Sequence, residues 1–170
     1  MEDVSARRVL LKTLNIEAGR ALDVGMGDCA CMSFLLAAAG FDVIGIDCSS
    51  HAIHAARRAA RRRRFRGSFR AQRADAERLP FNDGQFDVVV AYRALHHVKN
   101  VARCVREMHR VCRKGGVMLV AELNDRGRRK IGHQLDNGRL LARIARMLDG
   151  LCARVKIIET FWNTMFICYK

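Results

Sequence analysis

Ten residues, Ala21–Ala30 (ALDVGMGDCA), constrain the fold more than any other stretch. Ala21, Leu22 and Val24 form a short apolar run that reads as a buried strand over Arg20–Val24. Gly25 and Gly27 then let the backbone turn sharply and come close to a ligand. From Asp28 to Gly40 nearly every residue is small or apolar, which predicts a helix packed on a sheet and stopped by Gly40. In doubly wound sheets, a strand, a glycine turn and a helix in that order build a nucleotide pocket at the strand's carboxyl end.

The rest of the chain repeats the alternation. Asp3–Leu14 predicts a short amphipathic helix, and Phe41–Ile46 a second strand with Asp47 at its tip. Ser49 or Ser50 can cap a helix that turns Ile53, Ala56, Ala59 and Ala60 inward and its arginines outward. Ser68–Ala74 is a polar strand suited to a sheet edge, whereas Phe86–Ala91 (FDVVVA) is β-branched and suited to burial on both faces. A helix through Val101, Cys104, Val105, Met108 and Val111 is expected to stop at Lys114-Gly115-Gly116, ahead of a strand over Val117–Ala121. Asn124–Gln134 reads as an exposed basic loop, followed by a helix through Leu140, Leu141, Ile144, Met147 and Leu148. Val155–Glu159 and Thr164–Tyr169 lie too close together for anything but an antiparallel hairpin. The expectation is α/β: one domain over 1–170 with a doubly wound, Rossmann-like, seven-stranded sheet. That sheet is mostly parallel, with one reversed strand near the C-terminus.

Composition narrows the partners. The stretch of 170 residues holds no apolar run long enough for a membrane span, and its N-terminus lacks the pattern of a signal peptide. The seven cysteines include no Cys-x-x-Cys pair, so reduced core thiols in a cytoplasmic protein, with no metal site, are expected. Net charge is +14 and arginine outnumbers lysine 25 to 6, which attracts anions without naming one. Arg57, Arg58, Arg61–Arg64 and Arg66 can be a solvated helix end or a phosphate-binding surface.

Gly25-x-Gly27-x-x-Ala30 with Asp47 some twenty residues on also fits the dinucleotide fingerprint of NAD-binding domains. Charge separates the readings. A pyrophosphate wants a helix N-terminus clear of acids, yet Asp28 is expected there, with Asp23, Asp47, Asp75 and Glu122 at or near strand ends. Five carboxylates around one crevice favour a cationic nucleoside without phosphate.

The stretches LDVGMGD, VIGIDCS, ADAERLPFNDGQFDVVVAYRALHHV and EMHRVCRKGGVMLVAE, in this order, resemble class I S-adenosylmethionine-dependent methyltransferases. The likeness is greatest to the small-molecule branch that contains quinone-precursor methyltransferases. It implies S-adenosylmethionine as cofactor and S-adenosylhomocysteine as product. It assigns Asp23, Gly25 and Gly27 to the methionine moiety and Asp47 to the ribose hydroxyls. Cys48 would lie beside the adenine, and Asp75 and Ala76 would meet its amino group. Tyr92 would sit near the sulfonium, offering an aromatic face or a backbone carbonyl. The family carries a third glycine where this chain has Cys29.

Methyl transfer needs alignment and exclusion of water more than it needs a base. His96 and His97 are the candidate general bases, against the alternative that one packs and the other faces solvent. Arg93 can hold an anionic substrate group or pair with an acid such as Asp75. Tyr92-Arg93-Ala94-Leu95 is not the Asn/Asp-Pro-Pro-aromatic motif of amino-group DNA methyltransferases. Pro80, the sole proline, precedes no cysteine nucleophile. A small acceptor, anionic or aromatic, is therefore favoured, with RNA methylation and a non-enzymatic NAD-binding module as alternatives. A lid would come from the N-terminal helix within 1–18, the 124–134 loop, or a second subunit of a homodimer.

Overall fold

The computed structural model describes residue 11, residues 16–131 and residues 137–170. The strands are β1 (Gly19–Val24), β2 (Phe41–Asp47), β3 (Ser68–Arg73), β4 (Phe86–Tyr92), β5 (Cys112–Leu123), β6 (Arg154–Glu159) and β7 (Asn163–Tyr169). They form one sheet in the order β3-β2-β1-β4-β5-β7-β6. β1 through β5 pair in parallel, and β7 runs antiparallel to both of its neighbours. The chain moves outward from β1 to β3, then returns to β4 beside β1. That reversal opens a crevice at the carboxyl ends of β1 and β4.

The helices are α1 (Cys31–Ala39), α2 (Ser50–Ala60), α3 (Val101–Val111), α4 (Asp125–Ile131) and α5 (Asn137–Asp149). Met32, Leu36 and Ala37 of α1 cluster with Val43, Val88, Val90 and Leu119 on one face of the sheet. Cys104, Val105 and Met108 of α3, with Ile144 and Leu148 of α5, cover Leu22, Val89, Met118 and Val120 on the other. β4 is buried on both faces, as its unbroken β-branched run requires, and the polar β3 lies at an edge. No described helix is long and apolar enough to cross a membrane. The helix expected over Asp3–Leu14 lies, but for Leu11, outside the described residues.

Four local expectations are corrected. α1 begins at Cys31 rather than Asp28, because the chain stays in a turn through Ala30, whose φ of 44° is left-handed. α3 ends at Val111 and β5 starts at once. The Gly115-Gly116 pair marks an irregularity within that strand, where the β4–β5 register shifts and Gly115 takes φ 72°. Residues 125–131 of the expected loop are helical: Asn124 Oδ1 accepts the Gly127 N–H at 3.0 Å and caps α4. Finally, Cys152 after α5 is disulfide-bonded to Cys168 on β7. Cys104 and Cys112 are free and buried, but the bonded pair removes the inference from reduced thiols to a reducing compartment.

Candidate active site

Asp23 sits one residue before the end of β1 and is 1% exposed. Its Oδ2 accepts the Ser33 hydroxyl at 2.6 Å, an α1 donor that offsets the cost of burying a carboxylate. Beyond it, the Gly25 and Met26 N–H groups both donate to the Ile46 carbonyl, folding the turn onto β2. Gly25 has φ 72°, and a Cβ there would lie 2.6 Å from the Ala94 Cβ, so only glycine lets the turns after β1 and β4 close together. Gly27 has φ 64° with nothing within 4 Å of a notional Cβ. One glycine is fixed by a protein contact, while the other borders open space.

Asp47 ends β2 and binds the glycine turn. Its Oδ2 accepts Gly27 N–H at 3.0 Å and its Oδ1 accepts Ser49 N–H at 2.9 Å. Ser49, the better placed of the two candidate caps, receives Ala52 N–H at the start of α2. The Asp47 carbonyl accepts Ala74 N–H, which brings the end of β3 and the Asp75-Ala76 pair beside it. Asp75 Oδ1 accepts Glu77 N–H at 2.8 Å, so this acid stands in a tight turn. Cys48 is an exposed free thiol whose carbonyl accepts Arg73 Nε–H. Asp28 and Cys29 are exposed in the turn ahead of α1, so Asp28 does not occupy the helix start.

At the β4 end the side chains are tied to one another. Arg93 has φ 53°, its N–H donates to the Ala121 carbonyl at 2.7 Å, and its Nε–H donates to Asn163 Oδ1 at 2.7 Å. Its guanidinium lies 5.4 Å from the centre of the Tyr92 ring, so one face of that ring already carries a cation. Asn163 Nδ2–H reaches the Tyr92 hydroxyl at 3.4 Å. His96 Nδ1 lies 2.7 Å from Glu122 Oε2, with side-chain exposures of 7% and 0%. Glu122 Oε1 also accepts Leu95 N–H at 2.7 Å. His97 is exposed and its ring centre is 3.9 Å from that of His96.

One expectation changes: Glu122 is 0% exposed, so it holds the turn after β4 through these two contacts and does not open onto the crevice. Asn163, absent from the sequence reading, joins Tyr92 and Arg93; an isolated asparagine at a strand start carries no motif. The arginine run lies elsewhere: residues 61–66 separate the end of α2 from the start of β3, where Gly67 N–H meets the Ala37 carbonyl. That is the amino edge of the sheet, opposite the crevice.

The donor set suits a cationic adenosine derivative. A carboxylate has about four lone-pair sites, so Asp47 can accept a vicinal diol while keeping both backbone bonds. Asp23 places a carboxyl group behind the turn, and Gly27 leaves room for close approach.

Such a crevice at the switch point, with an acid ending β2 and a reversed β7, defines a Rossmann-like methyltransferase fold. A SAM-dependent methyltransferase structure from Methanosarcina mazei aligns with TM-score 0.74 over 95% of this chain and 96% of its own, at 22% identity. Another from Aquifex aeolicus aligns with TM-score 0.77 over 95% and 88%, at 15% identity. The family model described as a methyltransferase domain matches residues 22–120, and the chain belongs to that family. Similar relatives include the ubiquinone/menaquinone biosynthesis C-methyltransferase UbiE of Geobacter sp. (strain M21), 31% identical over 69% of this chain and 52% of its own length. The demethylmenaquinone methyltransferase of Beutenbergia cavernae is 36% identical over 69% and 47%. The phosphatidylethanolamine N-methyltransferase of Cereibacter sphaeroides is 35% identical over 68% and 56%. The chain spans about half the length of these relatives.

Proposed function

We propose that this chain is the catalytic domain of an S-adenosylmethionine-dependent methyltransferase acting on a small-molecule acceptor. The carrying observation is Asp47, which ends β2 while gripping the Gly27 turn, with Asp23 buried behind it. The cofactor supplies a methyl group already activated by its sulfonium. In this reading Asp23, Gly25 and Gly27 receive the methionine moiety, and Asp47 the ribose hydroxyls. Cys48, Asp75 and Ala76 border the adenine. Tyr92 contributes its backbone carbonyl near the sulfonium, since Arg93 covers one ring face. A pyrophosphate fits poorly: the Gly27 N–H that would meet it is donated to a carboxylate.

For acceptors that must lose a proton, His96 is the base. Glu122 holds its ring through Nδ1, so Nε2 would be the atom to take the proton. His97, exposed beside it, is the second candidate, and Arg93 borders the acceptor side. The deciding experiment is calorimetry with S-adenosylmethionine, S-adenosylhomocysteine and NAD side by side. The first two should bind and NAD should not. Asp47→Ala should weaken binding about 10- to 100-fold, the equivalent of one charged hydrogen bond. Unchanged affinity in that variant would sink the reading.

A further inference from the structure

An open cleft of about 600 Å³ lies between α4 and the turn joining β6 to β7, lined by Arg126, Arg129, Lys130, Phe161 and Trp162. It is at the carboxyl edge of the sheet, where β5 ends and β7 begins. The turn is anchored to α4 by Asn124, whose N–H donates to the Trp162 carbonyl and whose Nδ2–H donates to the Thr160 carbonyl. Gly127 permits this fit, because a Cβ there would strike the Trp162 carbonyl. Asn163, next along the chain, is the residue that holds Arg93 and reaches Tyr92. The cleft and the end of β4 are therefore joined by one buried side chain.

Its chemistry is specific. Phe161 is 56% exposed, which packing does not explain. The Arg126 guanidinium lies 5.5 Å from the centre of its ring, and Trp162 is tilted at 50° to it with ring centres 6.3 Å apart. Among the described residues the lining has two aromatic walls and three cations with no carboxylate, which suits a flat anion that stacks and pairs at once. The volume suits a molecule of one or two rings. An RNA backbone would look for the longest cationic run, which lies at the opposite edge.

We propose that this cleft binds an anionic, planar aromatic group, carried by the methyl acceptor, and so names the substrate class of the crevice beside it. The proposal rests on the methyltransferase reading above. Trp162 is the sole tryptophan, so its fluorescence reports on the cleft directly. The probe is 2-naphthoate titrated into protein saturated with S-adenosylhomocysteine, with 2-naphthalenemethanol as its neutral counterpart and inorganic phosphate as the anion alone. Naphthoate should quench Trp162 saturably and bind about tenfold more tightly than the alcohol, the worth of one charged contact. Arg126→Ala combined with Arg129→Ala should cost about tenfold, and Phe161→Ala should also weaken binding, while S-adenosylhomocysteine affinity holds. Arg61→Ala with Arg62→Ala should change nothing. Equal affinity for acid and alcohol, phosphate competing as well as naphthoate, or insensitivity to the cleft variants would overturn the proposal. Residues of the cleft binding single-stranded RNA or phosphatidylglycerol vesicles in place of naphthoate would do the same. Failure of S-adenosylhomocysteine to bind the unaltered protein would instead reject the underlying reading, and this one with it.

Discussion

Arg93 keeps a left-handed backbone, φ 53°, immediately after β4. For a side-chain-bearing residue that conformation costs about 1–2 kcal/mol, and it is offset by hydrogen bonds to Ala121 and Asn163. Asn163→Ala removes one such partner from a buried site. Urea unfolding should show a loss of about 1–3 kcal/mol, and a loss near zero would mean that the network contributes nothing to stability. Cys29 behaves differently. The resemblance implies a glycine there, yet the left-handed non-glycine residues among those described are Ala30 and Arg93, so position 29 needs no glycine backbone. Cys29→Gly should therefore leave S-adenosylhomocysteine affinity within about twofold by calorimetry, as for an exposed site. Gly25→Ala is the contrasting case. Its Cβ would need the place held by the Ala94 methyl, so cofactor binding should be lost and the melting temperature should fall.

At the scale of elements, α3 holds down the segment between β3 and β4. Glu107 Oε2 accepts Leu79 N–H, and Arg110 donates to the Leu79 and Phe81 carbonyls and to Asp83. The Arg110 guanidinium beside Glu107 holds its carboxyl below the usual range, against the opposing effect of burial and with help from Leu79 N–H. A carboxyl depressed by folding stabilises fully above its unfolded value, about 4.3, and that contribution is lost as pH falls through the folded value. Glu107→Gln should cost about 1–3 kcal/mol at neutral pH, with the gap to the unaltered protein closing below about pH 4. Denaturant curves at several pH values measure it; a constant gap would contradict the pairing. α4 shows why one helix escaped the sequence: it has charge on every side and no apolar stripe. Its evidence is the Asn124 cap, and a cap is recognised only once the helix is known.

For the whole molecule, the Cys152–Cys168 bond ties the end of α5 to β7 across a separation of 16 residues. A cross-link of that loop length is worth about 3 kcal/mol, so reduction or Cys152→Ser should lower the melting temperature by about 6–12 °C. Calorimetry with and without reductant decides it, and an unchanged transition would argue against a formed bond. Apolar runs and glycine spacing were enough to read the seven strands, the reversed hairpin, the edge position of β3 and the glycine turn after β1. Those features follow from local periodicity and from turns that few residues permit. Distance across the chain was not readable. Tertiary packing decided that Glu122 holds His96 and Leu95, 26 and 27 residues away, and that Cys168 meets Cys152. It also set the arginine run opposite the crevice and placed Phe161 and Trp162 against α4. Hydrogen bonds, disulfides and charge patches between remote residues leave no periodic trace in a chain, because the folded sheet alone sets which strand ends become neighbours.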